Sequence, residues 1–119
     1  MDLLQTLRQL GIGEEDMPGV LSALAVQAYE KFQKTGDASD LHFAVEAAQL
    51  GLTVIPDTSS HLNDLTGHLN NLGVFLESRY NRTGEIADLE EVIRITRQAV
   101  DSTVSKFLSK HALRAVPSS

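Results

Sequence analysis

The stretch Leu69–Val100, LNNLGVFLESRYNRTGEIADLEEVIRITRQAV, holds two helical patterns separated by Arg82-Thr83-Gly84-Glu85. Its plan occurs twice. Leu21–Leu52, LSALAVQAYEKFQKTGDASDLHFAVEAAQLGL, aligns with it without a gap, 48 residues earlier. Leu21, Leu24, Val26, Thr35, Gly36, Asp40 and Leu41 correspond to Leu69, Leu72, Val74, Thr83, Gly84, Asp88 and Leu89. Lys34/Arg82, Asp37/Glu85 and Val45/Ile93 keep the chemistry, and Phe32/Tyr80 keep an aromatic ring. An internal period of about 20–50 residues marks a stacked repeat architecture, because each unit leaves an apolar face that only a neighbour can cover.

Working outward, residues 18–35 place Val20, Leu21, Leu24, Ala25, Ala28 and Phe32 on one helical face. Thr35-Gly36 ends that helix, with Gly36 suited to the left-handed C′ position. Asp37 or Ser39 then caps a second helix over 38–54, whose face is Leu41, Ala44, Val45, Ala48 and Leu52. Pro56-Asp57-Thr58-Ser59-Ser60 breaks the chain before a third long helix over 61–82. Ahead of all this, Leu3, Leu4, Leu7 and Leu10 predict a short amphipathic helix stopped by Gly11 and Gly13. It reads as a cap or as the tail of a degenerate earlier unit.

Beyond Glu85 the helical period continues through Ile86, Leu89, Ile93, Val100, Val104, Phe107 and His111 without Gly or Pro. Either one helix of about 30 residues runs through, or Asp101-Ser102-Thr103 turns the chain. Cap-forming residues favour a bend; unbroken periodicity favours continuity. The expectation is a bend. The resulting organisation is a single domain over 1–119: an N-terminal helix or cap (1–16), unit one (17–56), unit two (57–103), and a C-terminal cap helix with tail (104–119).

Small residues add a packing expectation. Ala25 and Gly73 occupy equivalent places in the two first helices, and Ala44, Ala47, Ala48 and Gly51 run along the second. Such residues let helix axes approach near the close end of the roughly 8–10 Å range. An interior Gly costs about 0.5–1 kcal/mol relative to Ala, so Gly73 is expected to sit against a close neighbour.

The Leu69-x-x-Leu72-Gly73 run resembles the first-helix signature of tetratricopeptide repeats, and Ala44 and Pro56 resemble that repeat's second-helix small residue and closing proline. LNNLG…RYNRTGEIADLEE looks most like the extended tetratricopeptide-like units of large fungal multi-repeat proteins. The resemblance spans residues 20–104. The chain departs from the pattern in its period of 48 against the family's usual repeat of about 34. It departs again in Leu21 and Leu69 at the Trp position, and in Val92 and Val104 for the small residue and proline. The resemblance implies an all-α fold of antiparallel helix hairpins stacked as a short α-solenoid, with the first helices lining a concave face. On that face it places Ser22, Val26 and Glu30 of unit one and Asn70, Val74 and Glu77 of unit two, with Gln27 and Asn71 nearby.

Composition narrows the function classes. The formal net charge of −6 disfavours nucleic acid and anionic membrane surfaces, which demand a basic face. There is no Cys, so thiolate metal sites, disulfides and cysteine nucleophiles are excluded. No apolar run approaches the roughly 18 residues of a membrane span, and no basic-then-apolar leader opens the sequence. A cytoplasmic location is expected. His61, Asp64 and His68 have metal-like spacing without an identifiable fourth ligand, and read as solvent-facing helix residues. Asp37, Asp40, Asp88, Glu90 and Glu91 cluster at helix starts, where the macrodipole favours negative charge. With no phosphate loop or nucleophile elbow either, the expectation is no enzyme and no cofactor. What remains is a non-catalytic interaction module for a protein or peptide. The alternative is a structural unit that self-associates, as a homodimer through exposed end helices or as part of a longer array.

Overall fold

The computed structural model describes residues 2–55 and 62–115, so the break at 56–60, His61 and the terminal Pro117-Ser118-Ser119 lie outside the described residues. The chain forms α1 (Leu3–Gln9), α2 (Met17–Thr35), α3 (Ala38–Val54), α4 (Leu62–Thr83) and α5 (Ile86–Ala115), with no strand among the described residues. The fold is all-helical.

The two hairpin turns share one set of backbone and threonine hydrogen bonds. Gly36 and Gly84 take φ of +74° and +73°. Their N–H groups donate to the carbonyls of Phe32 and Tyr80, both at 2.7 Å. This left-handed cap satisfies a carbonyl that the helix leaves without a partner. One residue before each glycine, the Thr35 and Thr83 hydroxyls donate to the Lys31 and Arg79 carbonyls at 3.0 and 2.9 Å. They also accept from the N–H of Asp37 and Glu85 at 3.2 and 3.1 Å. Asp37 then caps α3, its carboxylate accepting the Ser39 N–H at 3.0 Å. Connections this short fold each helix back on its predecessor, giving hairpins α2–α3 and α4–α5; α3 also packs on α4, while α2 and α4 touch lightly.

One core joins the hairpins: Ala25 of α2, Leu41, Ala44, Val45, Ala47 and Ala48 of α3, Leu69, Leu72, Phe75 and Leu76 of α4, and Ile95 of α5. A second cluster of Leu7, Met17 and Leu21 closes the N-terminal end, with Leu50 and Val54 packed against it. α1 therefore covers the start of α2. Leu7, on the helix read as a cap or as the tail of an earlier unit, is buried. Asp2 caps α1 by accepting the Leu4 N–H, and Glu14 beyond it holds Arg8 at 2.7 Å.

Three expectations need correction. No bend occurs at 101–103, and no boundary separates 103 from 104, because α5 is continuous from Ile86 to Ala115. With neither Gly nor Pro to interrupt the backbone, the capping tendency of Ser102 and Thr103 does not outweigh continued propagation. The second concerns the small residues. A Cβ built on Gly73 would meet Ile95 Cδ1 at 3.7 Å, ordinary contact, so Gly73 is not required by a close approach. The tight glycine is Gly51, whose Cβ would lie 2.6 Å from the ring of His68. Third, His68 is not solvent-facing. It is 5% exposed and buried where α3 and α4 cross.

Candidate functional site

The hairpins meet side by side through an aromatic seam. Tyr29 stacks at 4.8 Å from the Phe75 ring and 6.1 Å from that of Phe32. Its hydroxyl and the Ser78 hydroxyl share a hydrogen bond of 2.7 Å. This fixes α2 beside α4 at one end, and the Arg82 guanidinium lies over the Phe32 ring at 5.6 Å. Toward the other end the helices leave an open cleft of about 850 Å³, lined by Glu15, Asp16, Ser22, Val26, Glu30 and Asn71 among others.

All three unit-one candidates, Ser22, Val26 and Glu30, line this cleft. The α4 wall is made instead by Gly67, His68 and Asn71. Asn70, Val74 and Glu77 are exposed on α4 and are not among its lining. The two sets are one helical step apart, and the α4 register that lines the cleft continues through Phe75 and Ser78 into the aromatic seam. Periodicity locates the apolar face of a helix well but not the edge at which a flanking groove begins. Gln27 also lines the cleft. The cleft has acidic groups at Glu15, Asp16 and Glu30 and no Lys or Arg among the described residues that line it.

A second polar cluster stands where the hairpins join. Arg79 makes a bidentate pair with Asp88, Nε to Oδ2 at 3.0 Å and Nη2 to Oδ1 at 2.8 Å. Asp88 is 6% exposed. The same guanidinium reaches Nδ1 of His42 on α3 at 3.2 Å, tying both hairpins together. In unit one the equivalent pair is looser: Lys31 Nζ stands 3.9 Å from Asp40 Oδ1, and the buried Oδ2 of Asp40 has no hydrogen-bond partner. Asp40 and Asp88 thus join their hairpins' helices beyond lying in the first turn, whereas Asp37 acts as a side-chain cap. Its hydrogen bonds from the Ser39 hydroxyl and N–H hold the carboxyl below its ordinary range.

Glu91 pairs with Arg94 one turn on. Among the described residues, no group of three His, Cys, Asp or Glu side chains is arranged to hold a metal ion. Also among them, no helix is long and apolar enough to cross a membrane. No family model matches the chain, and no curated protein or solved structure matches it.

Proposed function

We propose that this chain is a non-catalytic interaction module. Its paired hairpins, related by the 48-residue repeat, form a short tetratricopeptide-like α-solenoid that takes a cationic peptide segment of a partner protein between its first helices. The observation that carries this reading is the open, acidic cleft between α2 and α4, with Glu15, Asp16 and Glu30 among its lining and no Lys or Arg among the described residues that line it. Val26 and Ala23 provide apolar contact, Ser22, Gln27 and Asn71 can bond a peptide backbone, and the carboxylates select positive charge.

The test is titration of the ¹⁵N-labelled chain with a peptide alternating lysine and leucine. Amide shifts should change at 15–30 and 67–71, and binding should weaken with salt. Glu30→Lys should lower affinity about tenfold, equivalent to about 1.4 kcal/mol. No shift change at millimolar peptide, or changes confined to other helices, would sink the reading. A second reading, a structural unit that self-associates, rests on a different observation: the apolar stripe along α5.

A further inference from the structure

Ile86, Leu89, Ile93, Val100, Val104 and Leu108 lie along α5, each between 38% and 56% exposed. On a helix their spacing draws one continuous stripe about 33 Å long. Its register is one that the molecule already uses for packing. The unit-one counterparts of Leu89 and Ile93 are Leu41 and Val45, both 1% exposed in the core that α3 shares with α4. In unit two, no described helix takes the place that α4 takes in unit one.

The stripe is close to a palindrome. Ile86 with Leu108, Leu89 with Val104, and Ile93 with Val100 are each centred on Thr96–Arg97. Two copies laid antiparallel therefore match apolar residue to apolar residue at all three levels, the self-complementarity that a twofold contact requires. Charge selects the same direction. Besides Asp88 and Glu91, which pair with Arg79 and Arg94, residues 85–93 hold Glu85 and Glu90 and no basic residue, whereas 98–115 hold Lys106, Lys110 and Arg114 against Asp101 alone. About this axis an antiparallel pair sets the Glu85–Glu90 segment of one helix beside the Lys106–Lys110 segment of the other; a parallel pair sets like against like.

We infer that the α5 stripe docks on the α5 stripe of a second copy of this chain, antiparallel about a twofold axis near Arg97. This deepens the self-association reading and is independent of the α2–α4 cleft. Two Arg97 side chains meet near the axis, which limits the affinity.

Because the chain has no Cys, single cysteines report the geometry directly. Arg97→Cys should cross-link to itself under mild oxidation. Leu89→Cys alone should not, since its two copies lie about 22 Å apart along the axis, but a mixture of Leu89→Cys and Val104→Cys should. Light scattering of the unmodified chain should give twice the 13.0 kDa chain mass at high micromolar concentration. Ile93→Glu should give the single-chain mass with unchanged helical circular dichroism, and Arg97→Leu should tighten the dimer at least tenfold.

A single-chain mass at every concentration would overturn both the inference and the self-association reading. A dimer that survives Ile93→Glu, or that cross-links through Leu89→Cys alone, would overturn the α5 geometry and leave self-association standing through another surface or in another direction.

Discussion

α3 and α5 are the second helices of the same repeat, yet one is a core element and the other is half surface. α3 lies between α2 on one side and α4 on the other, and buries Leu41, Ala44, Val45, Ala47, Ala48 and Gly51. α5 packs chiefly on α4, and buries Ile95 and Asp88 while Ile93 stays 54% exposed. Equivalent residues thus have opposite environments. Burial in a repeat is a property of the neighbour as much as of the residue, and the same Leu can be worth several kcal/mol in one unit and almost nothing in the next.

The sharpest way to break that comparison is to make one substitution in both units. Leu41→Ala should cost about 2–5 kcal/mol in urea unfolding, and Leu89→Ala less than about 1 kcal/mol at protein concentrations where copies do not associate. Equal losses would mean that α5 is as enclosed as α3. Next in size are the two ion pairs. Arg79→Ala strands the buried carboxylate of Asp88 and should cost about 2–3 kcal/mol, whereas Lys31→Ala, at a largely exposed ammonium, should stay within about 0.5 kcal/mol. Thermal melts of both variants read the difference.

The glycines come third, and here the signs oppose. Gly51→Ala drives a methyl group toward His68 and should destabilise by about 1–3 kcal/mol. Gly73→Ala meets only ordinary contact and should stabilise by about 0.5–1 kcal/mol through helix propensity. The smallest effect belongs to Asp37. Its carboxyl titrates below its ordinary value of 3.8, mainly because the Ser39 hydroxyl and N–H bond the ionised form. A depressed carboxylate stabilises fully above its unfolded value and loses that contribution as pH falls through the folded one. Asp37→Asn should therefore flatten the decline in melting temperature below about pH 4 and leave its slope near neutrality unchanged.

How much of this was legible in the sequence follows from the range of the forces involved. The Thr-Gly turns, a cap at Asp37 or Ser39 and helix limits near 35, 54 and 82 depend on contacts within a few residues, and the sequence carries those; the choice of Asp37 over Ser39 belongs to the structure. Asp88 could be read as a helix-start carboxylate, but not as the partner of Arg79, because that pairing depends on how the hairpin closes. Gly51 under His68 was hidden for a similar reason, since a glycine and a histidine 17 residues apart show no periodic link. The cleft was half legible. Ser22, Val26 and Glu30 follow from the resemblance to tetratricopeptide repeats, whereas the α4 wall shifts by one helical step to Gly67, His68 and Asn71. The continuity of α5 shows in the sequence as unbroken periodicity, against which the capping tendencies of Ser102 and Thr103 act only locally.

The twin turns also bear on how the chain reaches its native state. Each connects its helices through one left-handed glycine, and the ion pair across it joins residues nine apart in sequence. Closing so short a loop takes on the order of 10–100 ns, so neither hairpin waits on a long-range search. The slower event is the docking of α4 on α3, which must join the two hairpins across the 55–62 connection. Substitutions at the turns, already closed when docking begins, should then slow folding more than they speed unfolding, while Val45 and Leu72, on the surface that docks, should divide their effect between the two rates.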